Sequence, residues 1–547
     1  MRDAAAVAVT ALFFLAPFAG KAVHIDDPMY LWAARHIQEE PFDFYGFDVN
    51  WYGTETPMVE TNKNPPLVSF YLALSAALFG WSEWALHLAI LLPALAVIVA
   101  VAFLARFLGA PPMGAALTAL VMPAMFVSST TLMSDVLMLS LWCGSLALWL
   151  WGMREKRDLG LLLGAILAGF CVLAKYFGLC LLPLLIAFSL ISERRVGRWA
   201  LYLMIPVAFV VGYEVLMTNL YGHHPFFDVA NYSIGSQRGV ELGASIVFFG
   251  GCLLPVLLFS PLLWTRKQLL IWLAVAACGS VALYRSDLFG AAVFGTGDEL
   301  RWGMLVHATV FFVAGLQILA LATTDLMRDR SANGWLLALW VGGVFVFAAF
   351  ANWTINARAV LPAAPVVAIL IWRRMAFRHG KETTAFWVKR SIVPLGASLA
   401  IAATVAWGDW QLADNARVAA STLAAKYRPS SGTLWFQGSW GFQHYMEEQG
   451  GHRTSHGKTK LNPGDILISP KNNSNVYKMV GTEDDVVTLE TLRLPVASWV
   501  STMSPEVGAG FYTSLWGPLP YVFGATPAEV YVVQKLMKSV PWNPPLK

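Results

Sequence analysis

Apolar runs long enough to cross a bilayer recur along this 547-residue chain as far as residue 410, and they constrain its fold more than any other feature. A helix needs about 20 mostly apolar residues to span the hydrocarbon layer. The composition agrees: 57% of the residues are hydrophobic and 13% are charged, where a soluble domain carries roughly a quarter charged residues. A water-soluble core cannot hide so much apolar surface. The net charge of +4 is small, and its placement along the chain says more than its size.

The runs predict spans at 4–20, 84–108, 112–128, 134–152, 159–174, 177–191, 199–219, 243–264, 268–285, 302–324, 334–351, 357–373 and 388–410. The first follows Arg2 and reads as a transmembrane helix rather than a cleaved signal, because the run is long, shows no clear small-residue cleavage site and is followed by many further spans. A further run, 65–80, opens with Pro65-Pro66 and is short. Charge decides its place. With a cytoplasmic amino terminus and 65–80 lying along the membrane, one set of loops collects Arg106, Arg154, Lys156, Arg157, Arg194, Arg195, Arg198, Arg266, Lys267, Arg328, Arg330, Arg373, Arg374, Arg378, Lys381, Lys389 and Arg390. The other set holds scattered cations such as Lys21, Arg35, Lys63 and Arg238. Basic loops stay in the cytoplasm, so the expectation is thirteen spans with 65–80 as a juxtamembrane helix.

Three regions then face outward: 21–64, 220–242 and the tail 411–547. The tail turns polar and carries strand-like pieces at Gly432–Phe436 and Asp465–Ser469. The expected organisation is a membrane domain over 1–410 and an extracytoplasmic α/β domain over 411–547. All five cysteines, Cys143, Cys171, Cys180, Cys252 and Cys278, lie in apolar runs, which gives neither a disulfide framework nor a zinc spacing.

Candidate chemistry concentrates after the first span, in Lys21-Ala-Val-His24-Ile-Asp26-Asp27-Pro28-Met-Tyr30. Adjacent carboxylates at the mouth of a helix bundle are costly unless paired, hydrated or useful. Close like charges raise one pKa, which suits a group that takes a proton from a hydroxyl. The plainer reading is a solvated turn, since Asp-Asp-Pro also interrupts a helix. Asp135 falls at the outer start of another span, where the helix dipole also favours an acid. Lys63, Lys175 and Arg358 fall on the same face. Each alone could snorkel to the interface; together they suit a phosphate. Trp51 and Tyr52 could belong to the interfacial belt or stack on a sugar. His223-His224 lacks a third ligand and is a weak metal signal.

These stretches resemble the GT-C glycosyltransferases that use polyprenyl-phosphate sugars, a branch including aminoarabinose lipid A transferases, protein O-mannosyltransferases and enzymes similar to rhizobial lipopolysaccharide glycosyltransferases. Asp26-Asp27-Pro-Met-Tyr30 is similar to the family's acidic segment after the first span. Lys63-Asn64-Pro65-Pro66-Leu67 through Phe79-Gly80-Trp81-Ser82-Glu83-Trp84-Ala85 resembles its Lys-Pro-Pro-Leu…Phe-Gly…Trp-Ala stretch. Ser134-Asp135-Val136 and Arg358-Ala-Val-Leu361-Pro362-Ala-Ala-Pro365 resemble its second outer acid and its late Arg-x-x-x-Pro-x-x-Pro segment. The chain departs at Asp27, where Glu is usual, at Asn64, which displaces the cation to Lys63, and at His87, where Arg is common.

The resemblance implies an all-α GT-C membrane fold and inverting transfer of a sugar from a polyprenyl-phosphate donor to a lipid, glycan or protein acceptor at the outer face of the inner (plasma) membrane. Asp26 and Asp27 would be the catalytic pair, with Asp26 as base. Lys63, Lys175 and Arg358 would bind the donor phosphate, and Tyr30, Trp51, Tyr52, Asn64 and Asp135 the substrates. No cofactor is required; a divalent cation, held by Asp26 with Asp135, is the one addition some relatives suggest. Nucleic acid is not an expected partner. The rival readings are a transporter or flippase, which would place charges deep within spans and show repeats, and a non-catalytic scaffold, indifferent to loss of Asp26.

Overall fold

The computed structural model describes residues 2–235, 242–285, 302–380, 384–428, 432–478 and 485–543. Arg238 and Lys381, part of the charge map, lie outside these residues. Among the described residues, eight helices are long and apolar enough to cross a membrane: Glu83–Phe107, Ser134–Glu155, Tyr176–Glu193, Trp199–Tyr221, Arg266–Arg285, Trp302–Arg328, Ala332–Ala351 and Lys389–Tyr427. Shorter apolar helices occupy Ala4–Phe18, Leu67–Phe79, Asp158–Ala174 and Leu242–Cys252.

Three of the expected spans are broken. The run 112–128 splits into Pro112–Leu120 and Pro123–Ser128, 243–264 into Leu242–Cys252, Pro255–Leu258 and Ser260–Leu263, and 357–373 into Ala357–Val360 and Ala363–His379. Prolines at 123, 255, 261 and 362 stand at these breaks, where each lacks the N–H that a continuous helix needs and crowds the residue before it. Irregular backbone at membrane depth survives where protein buries it or water lines it. After Pro123–Ser128 the buried hydroxyls do this work: Ser129, Thr130 and Thr131 donate to the carbonyls of Met125, Val127 and Ser128.

The run expected to lie along the membrane forms the helix Leu67–Phe79, packed against Asp27–Glu39 and Glu83–Phe107. Gly80 ends it with φ +85, a conformation that suits glycine. Ser82 then caps the next helix by accepting the Ala85 N–H.

The last span is longer than expected. Thr384–Tyr427 is one helix of 44 residues, so the domain boundary expected at 410–411 falls inside it. Beyond it lies a five-stranded mixed sheet. Leu434–Phe436 pairs in parallel with His452–Arg453 on one side and with Ile466–Pro470 on the other. Glu529–Leu536 runs antiparallel between Ile466–Pro470 and Val486–Leu494. A small core of Leu461, Leu467, Leu536 and Trp542 belongs to this region alone. Elsewhere one continuous apolar cluster joins the membrane helices to tail residues such as Val500, Met503, Phe511, Leu519 and Tyr521. The tail therefore packs into the helical body.

Candidate active site

The turn after the first helix assigns its two acids to opposite sides. The Asp27 carboxylate points inward and is fully buried. Its oxygens accept backbone N–H groups from His24 at 2.9 Å and from Leu132 at 2.9 Å. It thereby closes its own turn and ties that turn to the irregular segment before the helix Ser134–Glu155. Burial, partly opposed by Lys21 and the two N–H donors, pushes its pKa up to about 7. Ile25 has φ +45, a strained conformation for a β-branched residue. Asp26, next in the chain, faces the other way into a cavity of about 770 Å³.

That cavity gathers most of the residues singled out from the sequence: Asp26, Trp51, Tyr52, Lys63, Asn64, Lys175 and Arg358 all line it. Arg358 donates to Asp26 at 2.7 Å. It sits in the short helix Ala357–Val360, capped by Asn356, whose side-chain oxygen accepts the Ala359 N–H at 2.8 Å. The Ala357 N–H is held by the Phe511 carbonyl at 2.9 Å. Lys175 interrupts the helical path between Asp158–Ala174 and Leu181–Glu193 and pairs with Asp135 at 2.6 Å. Lys63 has no carboxylate partner among the described residues. Three cations thus face a cavity whose wall, among the described residues, carries one carboxylate, Asp26.

Asp27, Tyr30 and Asp135 stand behind this wall. The Tyr30 hydroxyl lies 3.1 Å from Ser134 Oγ and accepts the Asn64 amide at 3.2 Å, so it joins the helix of Asp135 to the Lys63-Asn64 segment. Burial raises its pKa above the ordinary tyrosine value. Asp26 and Asp135 each have their own cationic partner, Arg358 and Lys175. His223 has Glu60 and Asp228 each 3.6 Å away. Among the described residues there is no group of three His, Cys, Asp or Glu side chains that could hold a metal ion.

A second buried polar cluster was not singled out from the sequence. Lys21 and Asp409, both fully buried, pair at 2.5 Å. Asp409 also accepts from Thr502 at 2.8 Å and Tyr512 at 2.7 Å. His24 Nε2 is 3.5 Å away, and its pKa is lowered because burial outweighs the pull of Asp409. The signal for Asp409 was a lone acid inside an apolar run. Tyr512 carries the cluster to the cavity, since the Arg358 guanidinium lies 5.9 Å from the centre of its ring.

The rest of the wall comes from two sources. Phe177, Leu179, Phe347 and Phe350 give an apolar part, the last two from a π-helical turn at Phe347–Ala351. Trp440, Ser474, Asn475, Thr513 and Trp516 come from the tail. The tail also grips the first loop: the Trp51 carbonyl accepts from Ser439, Arg453 and Asn475, and the Asn50 carbonyl accepts from Gln443.

No curated protein sequence matches the chain. Among solved structures it resembles the Archaeoglobus fulgidus oligosaccharyltransferase tethered to an acceptor peptide, with 14% identity, 83% of this chain and 64% of the other covered, and a TM-score of 0.49. It also resembles ArnT from Cupriavidus metallidurans bound to undecaprenyl phosphate, with 16% identity, 86% and 92% covered, and a TM-score of 0.43. The mycobacterial arabinofuranosyltransferase AftD gives 12% identity, 98% and 40% covered, and a TM-score of 0.41. These likenesses are remote, and the chain spans 64% of the length of the archaeal enzyme. The family comparison is more direct and bears out the resemblance read from the motifs: residues 63–217, which carry Lys63, Asn64, Asp135 and Lys175, match the family of dolichyl-phosphate-mannose-protein mannosyltransferases.

Proposed function

We propose that the chain is an inverting glycosyltransferase that moves a sugar from a polyprenyl-phosphate donor to an acceptor hydroxyl at the outer face of the membrane. One observation carries this reading: a single cavity holds the carboxylate of Asp26 together with Lys63, Lys175 and Arg358. The family match over residues 63–217 supports it.

The cations have the charge and spread to receive the donor phosphate, and the apolar wall offers a surface for the first isoprenoid units. A phosphate bound by Arg358 competes for the guanidinium that now neutralises Asp26. Released from that pair, Asp26 accepts the proton of the acceptor hydroxyl as the oxygen attacks the anomeric carbon. The bond between that carbon and the phosphate oxygen breaks on the opposite side, its electron pair stays with the phosphate, and the configuration inverts. Negative charge grows on the phosphate as the bond stretches, so the cations stabilise the transition state more than the bound donor. Asp27 holds the turn that presents Asp26. The outer-face assignment follows from the basic loops at the other end of the spans.

The test is transfer or hydrolysis of a panel of radiolabelled polyprenyl-phosphate sugars by the purified protein and its Asp26→Asn variant. The reading requires turnover of at least one donor, lost in the variant. No turnover from any member, or equal turnover in both proteins, refutes it. A cysteine placed at the exposed Phe42 should react with an impermeant maleimide added outside intact cells; reaction only after lysis would reverse the topology.

A further inference from the structure

The cavity changes character where the tail closes it. Among the described residues, those contributed from 440 to 516 include Trp440, Ser474, Asn475, Thr513 and Trp516, with Met503 and Leu515 beside them, and no charged side chain. The cations and Asp26 all come from the helical body and its loops. The tail wall thus differs chemically from both the phosphate-facing part and the apolar part.

Two tryptophans form its centre. The rings of Trp440 and Trp516 lie 5.1 Å apart with their planes inclined at 55°. Trp440 has φ +63, a conformation that bulky residues rarely adopt and that surrounding contacts must impose. Those contacts are present. Asn473 accepts the Ser439 N–H at 2.7 Å and donates to the Ser439 carbonyl at 3.2 Å. Trp516 is fixed differently: its indole N–H donates to Asn472 at 2.9 Å, and Asn472 donates to the Met503 carbonyl and to Glu529. With its one polar atom engaged, Trp516 offers the cavity only aromatic surface. Asn475 donates its amide hydrogens to the Trp51 carbonyl and Ser439 Oγ, which leaves its side-chain oxygen as an acceptor.

Rigid aromatic faces beside amide and hydroxyl groups, with no charge among the described residues, match the two-sided chemistry of a pyranose. The C–H face of the ring packs on indole, and the hydroxyls hydrogen-bond to the polar groups. An anionic lipid headgroup would find no cation among the described residues of this wall, and a peptide, whose backbone can use the same amide and hydroxyl groups, is the competing occupant that the experiment below separates. The wall also adjoins the reacting centre, because Tyr512, beside Arg358, precedes Thr513 and Trp516 in the same segment. We infer that the tail forms the acceptor subsite and that the acceptor it takes is a neutral saccharide. This rests on the glycosyl-transfer reading for the word acceptor, while the saccharide site itself rests on the tail wall.

The experiment is calorimetric titration of the full-length protein in nanodiscs with neutral gluco-, manno- and galacto-oligosaccharides and with a serine- and threonine-containing peptide. Undecaprenyl phosphate binding and donor hydrolysis are measured on the same samples. At least one oligosaccharide should bind. Trp516→Ala and Trp440→Ala should each weaken that binding about tenfold or more, in keeping with the loss of one stacking face. Trp516→Phe, which keeps a ring, should retain most of it and report that the fold is intact. Undecaprenyl phosphate binding should be unchanged in all three. Binding of the peptide but of no oligosaccharide, no binding of any oligosaccharide, or binding indifferent to both alanine variants would overturn the inference. Saccharide binding that depends on Trp516 in a protein that neither binds undecaprenyl phosphate nor hydrolyses any donor would uphold the saccharide site and sink the transfer reading instead.

Discussion

Arg358 and Asp26, 332 residues apart in the chain, meet at 2.7 Å on the cavity wall, so the proposed base and a proposed phosphate ligand are each other's counter-ion. On the proposed reading, the pairing makes donor binding and base activation one event. Asp26→Asn keeps the shape and a hydrogen-bond acceptor but cannot take the proton. Single-turnover transfer should fall by about 10²–10⁴-fold, the usual range for loss of general base catalysis. Equilibrium binding of undecaprenyl phosphate should persist, and binding lost together with turnover would place Asp26 in donor recognition instead.

Replacing Arg358 should show whether charge or geometry matters there. A lysine restores the charge without the planar pair of donors. Arg358→Ala should lower kcat about 10²–10³-fold, the loss typical when one stabilising donor is removed, and Arg358→Lys should recover part of it. Lys63 faces the cavity with no carboxylate partner among the described residues, so Lys63→Ala should raise KM for the donor as well as lower kcat. Steady-state kinetics with varied donor separates the two outcomes.

Asp27 predicts a pH dependence of stability rather than of binding. In the folded protein it keeps its proton up to about pH 7, while the unfolded chain releases it near the ordinary value of 3.8. Between those limits the folded state binds more protons, so this residue's contribution to stability falls as pH rises from about 4 to about 7. In Asp27→Asn that part of the slope should vanish, at a lower overall stability, because a neutral amide has one oxygen where two N–H groups now find acceptors. Thermal melts at several pH values measure both effects, and an unchanged slope would show that Asp27 does not titrate there.

The Lys21–Asp409 pair should behave as a buried ion pair. Removing one partner leaves an uncompensated charge, which costs about 3–5 kcal/mol in comparable settings. Lys21→Met should therefore lower the melting temperature more than the double variant Lys21→Met/Asp409→Leu. If the double variant is the less stable, the hydrogen bonds from Thr502 and Tyr512 to Asp409 matter more than the charge pair.

The sequence showed the charged half of the cavity because those residues violate their surroundings. Asp26, Lys63, Lys175 and Arg358 are charges at the ends of apolar runs, and each lines the cavity. The dipeptide could not show which acid turns inward, since that depends on an N–H from Leu132, 105 residues away. Hydropathy also joined runs that prolines divide, as at Pro362, because a window average sees composition and not a missing backbone donor. Trp440 and Trp516 were illegible for another reason. In a chain with 23 tryptophans neither stands out by type, and only the fold of the tail brings both to the cavity.

The unbroken helix Thr384–Tyr427 sets how the two halves of the cavity can vary. A flexible joint would let the tail drift and be exchanged freely. A helix instead acts as a threaded shaft, on which each inserted residue advances the tail by about 1.5 Å and turns it by about 100°. One residue added after Asp409 would swing Tyr512 and Trp516 away from Arg358, whereas seven residues would nearly restore the angle at a displacement of about 10 Å. The tail wall of the cavity can therefore change by substitution within the tail far more readily than by any change in the length of the helix that carries it.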